Sequence, residues 1–270
     1  MDFSVLISVY FKEKVEFLEK ALDSILNNSL QPSQIILVKD GKLTKELDEC
    51  IEIYCTKYSD LFTIVSLDAN VGLGKALNAG LKHALYDIIA RMDTDDICYQ
   101  DRFKKQIEFL IKNPSISVIG TGIQEFNLIP GDLNQFRNLP VNSEDLLKFS
   151  KFRNPLNHPT VMFRKKAVIE AGSYQDMPLF EDYYLWVRML HKGFKIANIS
   201  EPLLHFRIGN NMIGRRSGWS YLKKELAFLS KIREINYINR KEFLVSGIVK
   251  LPLRILPKSI LTFLYKKLLR

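Results

Sequence analysis

The apolar positions of the first 115 residues alternate between short unbroken runs and longer stretches with helical spacing. Val5 to Val9 is a β-rich run that predicts a buried strand, and Val15 to Asn28 follows with Val15, Leu18, Leu22, Ile25 and Leu26 on one helical face. The alternation continues through a strand at Ile35–Val38, a helix at Lys45–Tyr58, a strand at Phe62–Leu67 and a helix at Lys75–Leu85. It then gives a strand at Ile88–Met92 and a helix at Gln100–Asn113, which Pro114 closes. Strands and helices in strict alternation predict an α/β domain with a mostly parallel central sheet flanked by helices.

Beyond Pro114 the pattern is less regular. Strands are predicted at Ile116–Gly122, Pro159–Phe163 and Phe194–Ile199, with a helix at Asp182–His191 and a loop and short helix between Pro130 and Arg153. From about Trp219 the pattern is helical, with interruptions expected at Pro252 and Pro257.

In an open parallel sheet, ligands bind beyond the carboxyl ends of the strands. Tyr10-Phe11-Lys12-Glu13 follows the first strand, so the glycine-rich dinucleotide fingerprint is absent there. Gly72-Leu73-Gly74-Lys75 superficially resembles a phosphate-binding loop, but Ala69 and Ala76 replace the glycine and the hydroxyl residue that such a loop needs. What the strand ends carry instead is carboxylate: Asp40 after the second strand, and Asp93, Asp95 and Asp96 after the fourth. Clustered carboxylates repel each other and any phosphate unless a divalent cation lies between them, and Mg²⁺ or Mn²⁺ suits such oxygen ligands. The competing reading makes Asp95 or Asp96 an N-cap of the next helix.

Composition changes the picture in three ways. An apolar fraction of 47% with 26% charged residues is that of a globular chain. Three cysteines without metal-like spacing argue for a reducing compartment. The net charge of +9 is local: residues 215–270 hold 14 of the 39 basic and 3 of the 30 acidic residues, a balance of +11, which leaves the rest at −2. A near-neutral body argues against a nucleic-acid partner. No basic n-region precedes the first apolar run, so no secretory leader is expected. No stretch reaches the roughly 18 uncharged apolar residues of a spanning helix. The basic segment mixes Leu251, Leu253, Ile255 and Leu256 with Lys250, Arg254 and Lys258, which suits either an interfacial element on anionic lipid or a helix packed on the domain.

Several motifs in order carry a resemblance: Val9-Tyr10, Asp40-Gly41, Asn70 to Gly80, Ala90-Arg91-Met92-Asp93-Thr94-Asp95-Asp96, His158 to Arg164, and Glu181-Asp182-Tyr183-Tyr184-Leu185-Trp186. Together they resemble family-2 glycosyltransferases of the bacterial surface-polysaccharide (O-antigen or capsule) type, which have the nucleotide-sugar-binding GT-A fold. The resemblance implies a catalytic domain over 1–215, with a nucleotide-sugar half over about 1–115 and an acceptor half over about 116–215. The basic helical segment 216–270 follows. Nucleotide-sugar contacts are implied for Val9, Tyr10, Asp40, Lys75, Asn78, Arg91, Asp93 and Asp95, with Asp40 on the base edge and Asp95 ligating Mn²⁺ or Mg²⁺. Asp182 is implied as the general base, and His158, Glu181 and Arg207 as acceptor or diphosphate contacts.

One base and no protein nucleophile implies direct displacement with inversion. The implied donor is a UDP-hexose, such as UDP-glucose or UDP-galactose. The implied acceptor is an undecaprenyl-diphosphate-linked saccharide, as in β1,3 transfer to GlcNAc-diphosphoundecaprenol. That chemistry places the protein peripherally on the cytoplasmic face of the inner membrane, with the basic segment against anionic lipid. The main alternative is a nucleotidyltransferase acting on sugar phosphates. It would normally show a glycine-rich basic signature where Tyr10 to Glu13 stand.

Overall fold

Val5, Ile7 and Val9 of the first strand enter one hydrophobic core, and Leu6 enters another on the opposite side of the sheet. Ile35 and Leu37 repeat the first pattern in the second strand, and Ile36 and Val38 the second. Both faces are covered, which is why these strands read as unbroken apolar runs. This is seen in a computed structural model that describes residues 1–208 and 218–255, with side chains to residue 250. The expectations for side chains from Leu251 to Arg270 lie outside the described residues.

The first half alternates β1 (Ser4–Val9), α1 (Val15–Leu26), β2 (Gln34–Lys39), α2 (Lys45–Lys57), β3 (Phe62–Ser66), α3 (Leu73–Leu81), β4 (Ile88–Met92), β5 (Ile97–Cys98) and α4 (Arg102–Lys112). The second half holds β6 (Ile116–Phe126), β7 (Gln135–Arg137), α5 (Ser143–Phe149), β8 (Met162–Arg164), α6 (Lys165–Glu170), α7 (Glu181–His191), β9 (Lys195–Arg207), α8 (Trp219–Glu234) and α9 (Arg240–Ile255). Sheet order is β3-β2-β1-β4-β8-β6-β9-β5, with β7 on β6. β1 to β4 pair in parallel, as predicted. The remainder is mixed, because β8 runs antiparallel between β4 and β6 while β9 is parallel to β6.

Two local readings change. The strand predicted at Pro159–Phe163 is a 3-10 turn, His158–Thr160, followed by β8. Proline has no N–H for a sheet ladder, so pairing starts after it. The helix following the Asp cluster is flanked at its start by Asp101, five residues past Asp96, so Asp95 and Asp96 do not cap it.

Helices α1, α2 and α4 cover one face, and α3, α6, α7 and α8 the other. The helical C-terminal segment shares the second core. Phe228 of α8 stacks on Phe180 at 5.0 Å between ring centroids and tilts against Tyr183 at 4.5 Å. Lys151 and Glu242 join α9 to the body through a 2.7 Å ion pair. α9 continues through Pro252 to Ile255, where the sequence predicts an interruption; the proline gives up its N–H bond to the carbonyl four residues back without ending the helix. No helix among the described residues is long and apolar enough to cross a membrane.

Candidate active site

The carboxyl ends of β1, β2 and β4, the end of β9, the loop before the 3-10 turn and the start of α7 converge on one cavity of about 920 Å³. Of the residues expected at the site, Tyr10, Asp40, Arg91, Asp93, Asp95, His158, Glu181, Asp182 and Arg207 line it. Val9, Lys75 and Asn78 do not. Strand alternation buries Val9 in the core, and its neighbours Ser8 and Tyr10 face the cavity. Lys75 is exposed on α3 outside the cavity. Asn78 spends its amide on the main chain of Tyr174, donating to its carbonyl at 2.7 Å and accepting from its N–H at 3.0 Å.

Asp40 is buried, and its carboxylate accepts the amides of Val71 (2.7 Å) and Gly72 (3.1 Å). It therefore braces the loop that opens α3. Gly41 is required beside it: φ is +85°, and a Cβ there would lie 2.6 Å from the amide nitrogen of Asn70.

Within β4, the fully buried Arg91 donates to both carboxylate oxygens of Asp93, which follows the strand. One carboxylate oxygen from each of Asp93, Asp95 and Asp96 lies within 4.8 Å of the others. Burial first, then Asp93 and Glu13, pushes the Asp95 carboxyl up to about 7. Burial first, then Asp95 and Asp93, also raises Asp96 well above the usual carboxylate range. Asp96 Oδ1 accepts the backbone N–H of Arg207 at 2.9 Å, while its buried Oδ2 has no hydrogen-bond partner among the described residues. Crowded, desolvated carboxylates with an unsatisfied oxygen fit a divalent cation that prefers oxygen ligands.

Arg207 holds this loop in place. Its Nε donates to the Asp95 carbonyl at 2.9 Å, and its guanidinium lies over Phe17 and Phe126 at 3.9 and 4.4 Å from the ring centroids. Arg207 lines the cavity and fixes the cluster from there.

Glu181 and Asp182 are the first two residues of α7. Both line the cavity, although adjacent helical positions diverge by about 100°. Burial, ahead of the charge of Asp182, raises the Glu181 carboxyl. Glu181 comes this close to α3 because Gly74 lacks a side chain: a Cβ there would lie 3.3 Å from Glu181 Cγ. Asn154, which no sequence signal marked, donates its amide to Asp182 Oδ2 at 2.6 Å. The amide orientation is set by its other end, which accepts the N–H of Leu156 at 3.3 Å.

His158 meets the Tyr174 hydroxyl at 2.9 Å and stands edge-on to Trp186. Burial, then Arg91, lowers it well below the usual imidazole value, so it is neutral and suits positioning more than proton transfer. Glu125 and Arg137 form a further ion pair on the cavity wall that the sequence did not mark.

Residues 4–173 match the family described as glycosyl transferase family 2. The chain is 37% identical over 270 residues to the amylovoran biosynthesis glycosyltransferase AmsE of Erwinia amylovora, covering 98% of both chains. It is 35% identical over 268 residues to the Escherichia coli UDP-Gal:alpha-D-GlcNAc-diphosphoundecaprenol beta-1,3-galactosyltransferase, covering 99% of this chain and 96% of that one. Among solved structures, it is similar in fold to the Pyrobaculum calidifontis mannosyltransferase PcManGT in complex with GDP-Man and Mn²⁺. There the TM-score is 0.61 at 14% identity, over 98% of this chain and 79% of that one. The chain belongs to glycosyltransferase family 2, and it is an enzyme of the glycosyltransferase class with the GT-A fold.

Proposed function

We propose that this enzyme transfers a hexose from a UDP-sugar to a lipid-linked saccharide, with inversion at the anomeric carbon, during assembly of a bacterial surface polysaccharide. The observation that carries this reading is one cavity lined both by Asp93 and Asp95, with the buried Asp96 behind them, and by the Asn154–Asp182 pair. Asp95 and Asp96, with Asp93 beside them, would hold Mn²⁺ or Mg²⁺. Such a cation, when bound, neutralises charge on a leaving diphosphate. The fold's likeness to a mannosyltransferase crystallised with a nucleotide sugar and Mn²⁺ is consistent with this.

The residues would then divide the work as follows. Ser8, Tyr10 and the Asp40-braced loop form the nucleoside side, and Arg91 fixes Asp93 toward the donor. Asp182 accepts the proton of an acceptor hydroxyl as that oxygen bonds to the anomeric carbon. The bond from that carbon to the diphosphate oxygen breaks, and its electron pair leaves with UDP. With one base and no covalent intermediate, the new bond forms on the face opposite the leaving group. UDP-galactose or UDP-glucose as donor, and β1,3 transfer to GlcNAc-diphosphoundecaprenol, follow the name of the 35%-identical relative. The same acceptor would hold the enzyme peripherally on the cytoplasmic face of the inner membrane. The cationic segment 215–270 adds attraction to anionic lipid.

UDP and Mn²⁺ together should raise the melting temperature by more than the sum of their separate effects, because each completes the other's site. Independent shifts in a thermal-melt experiment would count against the shared site.

The raised Asp95 carboxyl gives a second expectation. In metal-free protein its native pKa of about 7 exceeds the unfolded value, so its stabilising contribution is full at acid pH and is lost as pH rises from about 4 to about 7. Metal-free protein should therefore melt higher near pH 6 than near pH 8, and Mn²⁺ should stabilise most at the higher pH. Calorimetry that shows no pH trend without metal would contradict the cluster's electrostatics.

Asn154→Ala should lower kcat about tenfold with little change in UDP affinity, since it removes a hydrogen bond to the charged base. Steady-state kinetics that show only a change in donor KM would assign Asn154 to the donor side.

A further inference from the structure

α9 has two unlike sides. Ser246 is buried, Phe243 meets Arg233 of α8 at 5.2 Å, and Lys250 pairs with Glu225 at 3.3 Å and lines the catalytic cavity. These three positions point toward the body. At 100° per residue the other side presents Leu244, Val245, Ile248 and Val249 over an arc of about 140°. They are 59%, 51%, 71% and 58% exposed. One turn earlier Lys241, also exposed, falls on that outer side, and the exposed Arg240 stands at its margin. Uncovered apolar groups of this size on one helix call for a partner.

We propose that the outer face of α9 docks on an anionic lipid bilayer and so holds the catalytic cavity beside the headgroups. Three observations favour lipid over a protein partner or a second copy. The face is aliphatic with a basic N-terminal rim, the pattern of an interfacial helix. The surrounding segment 215–270 carries +11, which complements anionic headgroups and opposes pairing with itself. The same helix also walls the cavity through Lys250, so its seat in the membrane sets the height of the site. Trp219, 66% exposed at the start of α8, lies toward the C-terminal end of α9, because Glu225 meets Lys250 and Arg233 meets Phe243. There it would supply an aromatic anchor at the interface. The consequence for catalysis rests on the lipid-linked acceptor proposed above; the docking itself does not.

The test is flotation of the full chain with phosphatidylcholine vesicles, with and without phosphatidylglycerol. Wild type should bind the anionic vesicles at least about tenfold more tightly, and high salt should weaken that binding. Replacing Leu244, Val245, Ile248 and Val249 together with Gln should cut binding by about tenfold or more. Turnover on a water-soluble acceptor analogue should stay unchanged, which also reports that the variant is folded. Should that variant misfold, Arg240→Gln with Lys241→Gln should still lower binding to the anionic vesicles alone. If the four-Gln variant floats like wild type while a chain ending at Ile255 does not, the face is not the docking element. If wild type stays off vesicles and runs as a dimer that the Gln variant splits, the face is an interface between copies and the proposal is wrong. Absence of turnover on the soluble analogue in wild type would instead count against the proposed reaction and leave the docking result standing.

Discussion

Asp182→Asn should lower kcat by about 10²–10⁴-fold while UDP–Mn²⁺ affinity stays within a few-fold. Asn is nearly isosteric, so the start of α7 and its packing on Phe180 and Tyr183 should survive. It cannot take a proton, whereas the native Asp182 carboxylate accepts the Asn154 amide at 2.6 Å. The residues proposed for the nucleotide, Tyr10, Asp40 and Arg91, are other lining residues of the cavity and stay unchanged in this variant, which is why binding and turnover should separate. Glu181→Gln is the control. Glu181 shares the cavity and has a raised carboxyl, so it is the rival base on this helix. Rapid-quench turnover with isothermal titration of UDP would distinguish them. Loss of turnover in Glu181→Gln with retention in Asp182→Asn would move the base by one residue.

Asp95→Ala should reduce transfer at least about 10³-fold, and a stringent chelator should do the same to wild type, reversibly on adding Mn²⁺. The variant should not be less stable. In metal-free protein, Asp95 is a desolvated carboxylate crowded by Asp93 and Glu13, so removing it relieves repulsion. Its backbone carbonyl, which Arg207 holds, is untouched by the substitution. The melting temperature without metal should therefore hold or rise near pH 8, and the Mn²⁺-dependent rise should disappear. A variant that melts far lower than wild type would make Asp95 structural. Full turnover in chelator would remove the cation from the reaction.

How far the sequence reveals these features depends on where each residue's partners lie. β1 to β4 and α1 to α4 were readable to within a few residues, because a sheet buried on both faces turns each strand into an apolar run. β5 and β7 have two and three residues and owe their existence to β9 and β6, so nothing local announces them. The site shows the same division. Asp93, Asp95 and Asp182 stand at a strand end and a helix start, where sequence order predicts exposure to a ligand. The side chain of Val9 lies off the cavity because strand alternation turns it into the core, and that of Asn78 because its amide serves Tyr174 across the fold. Asn154 was invisible because it gains its meaning from Asp182, 28 residues away in sequence. The C-terminal segment read as basic and amphipathic. That α8 completes the core and that α9 walls the cavity are facts of tertiary packing.

The most direct measurement is the product formed when the enzyme, Mn²⁺ and a panel of UDP-hexoses are incubated with a GlcNAc-diphosphate-lipid analogue, analysed by mass spectrometry and NMR. The expected result is release of UDP and an acceptor extended by one hexose in β linkage, formed with one or few donors and absent in chelator. An α-linked product, no extension with any donor, or pyrophosphate release from a nucleoside triphosphate and a sugar phosphate would contradict it.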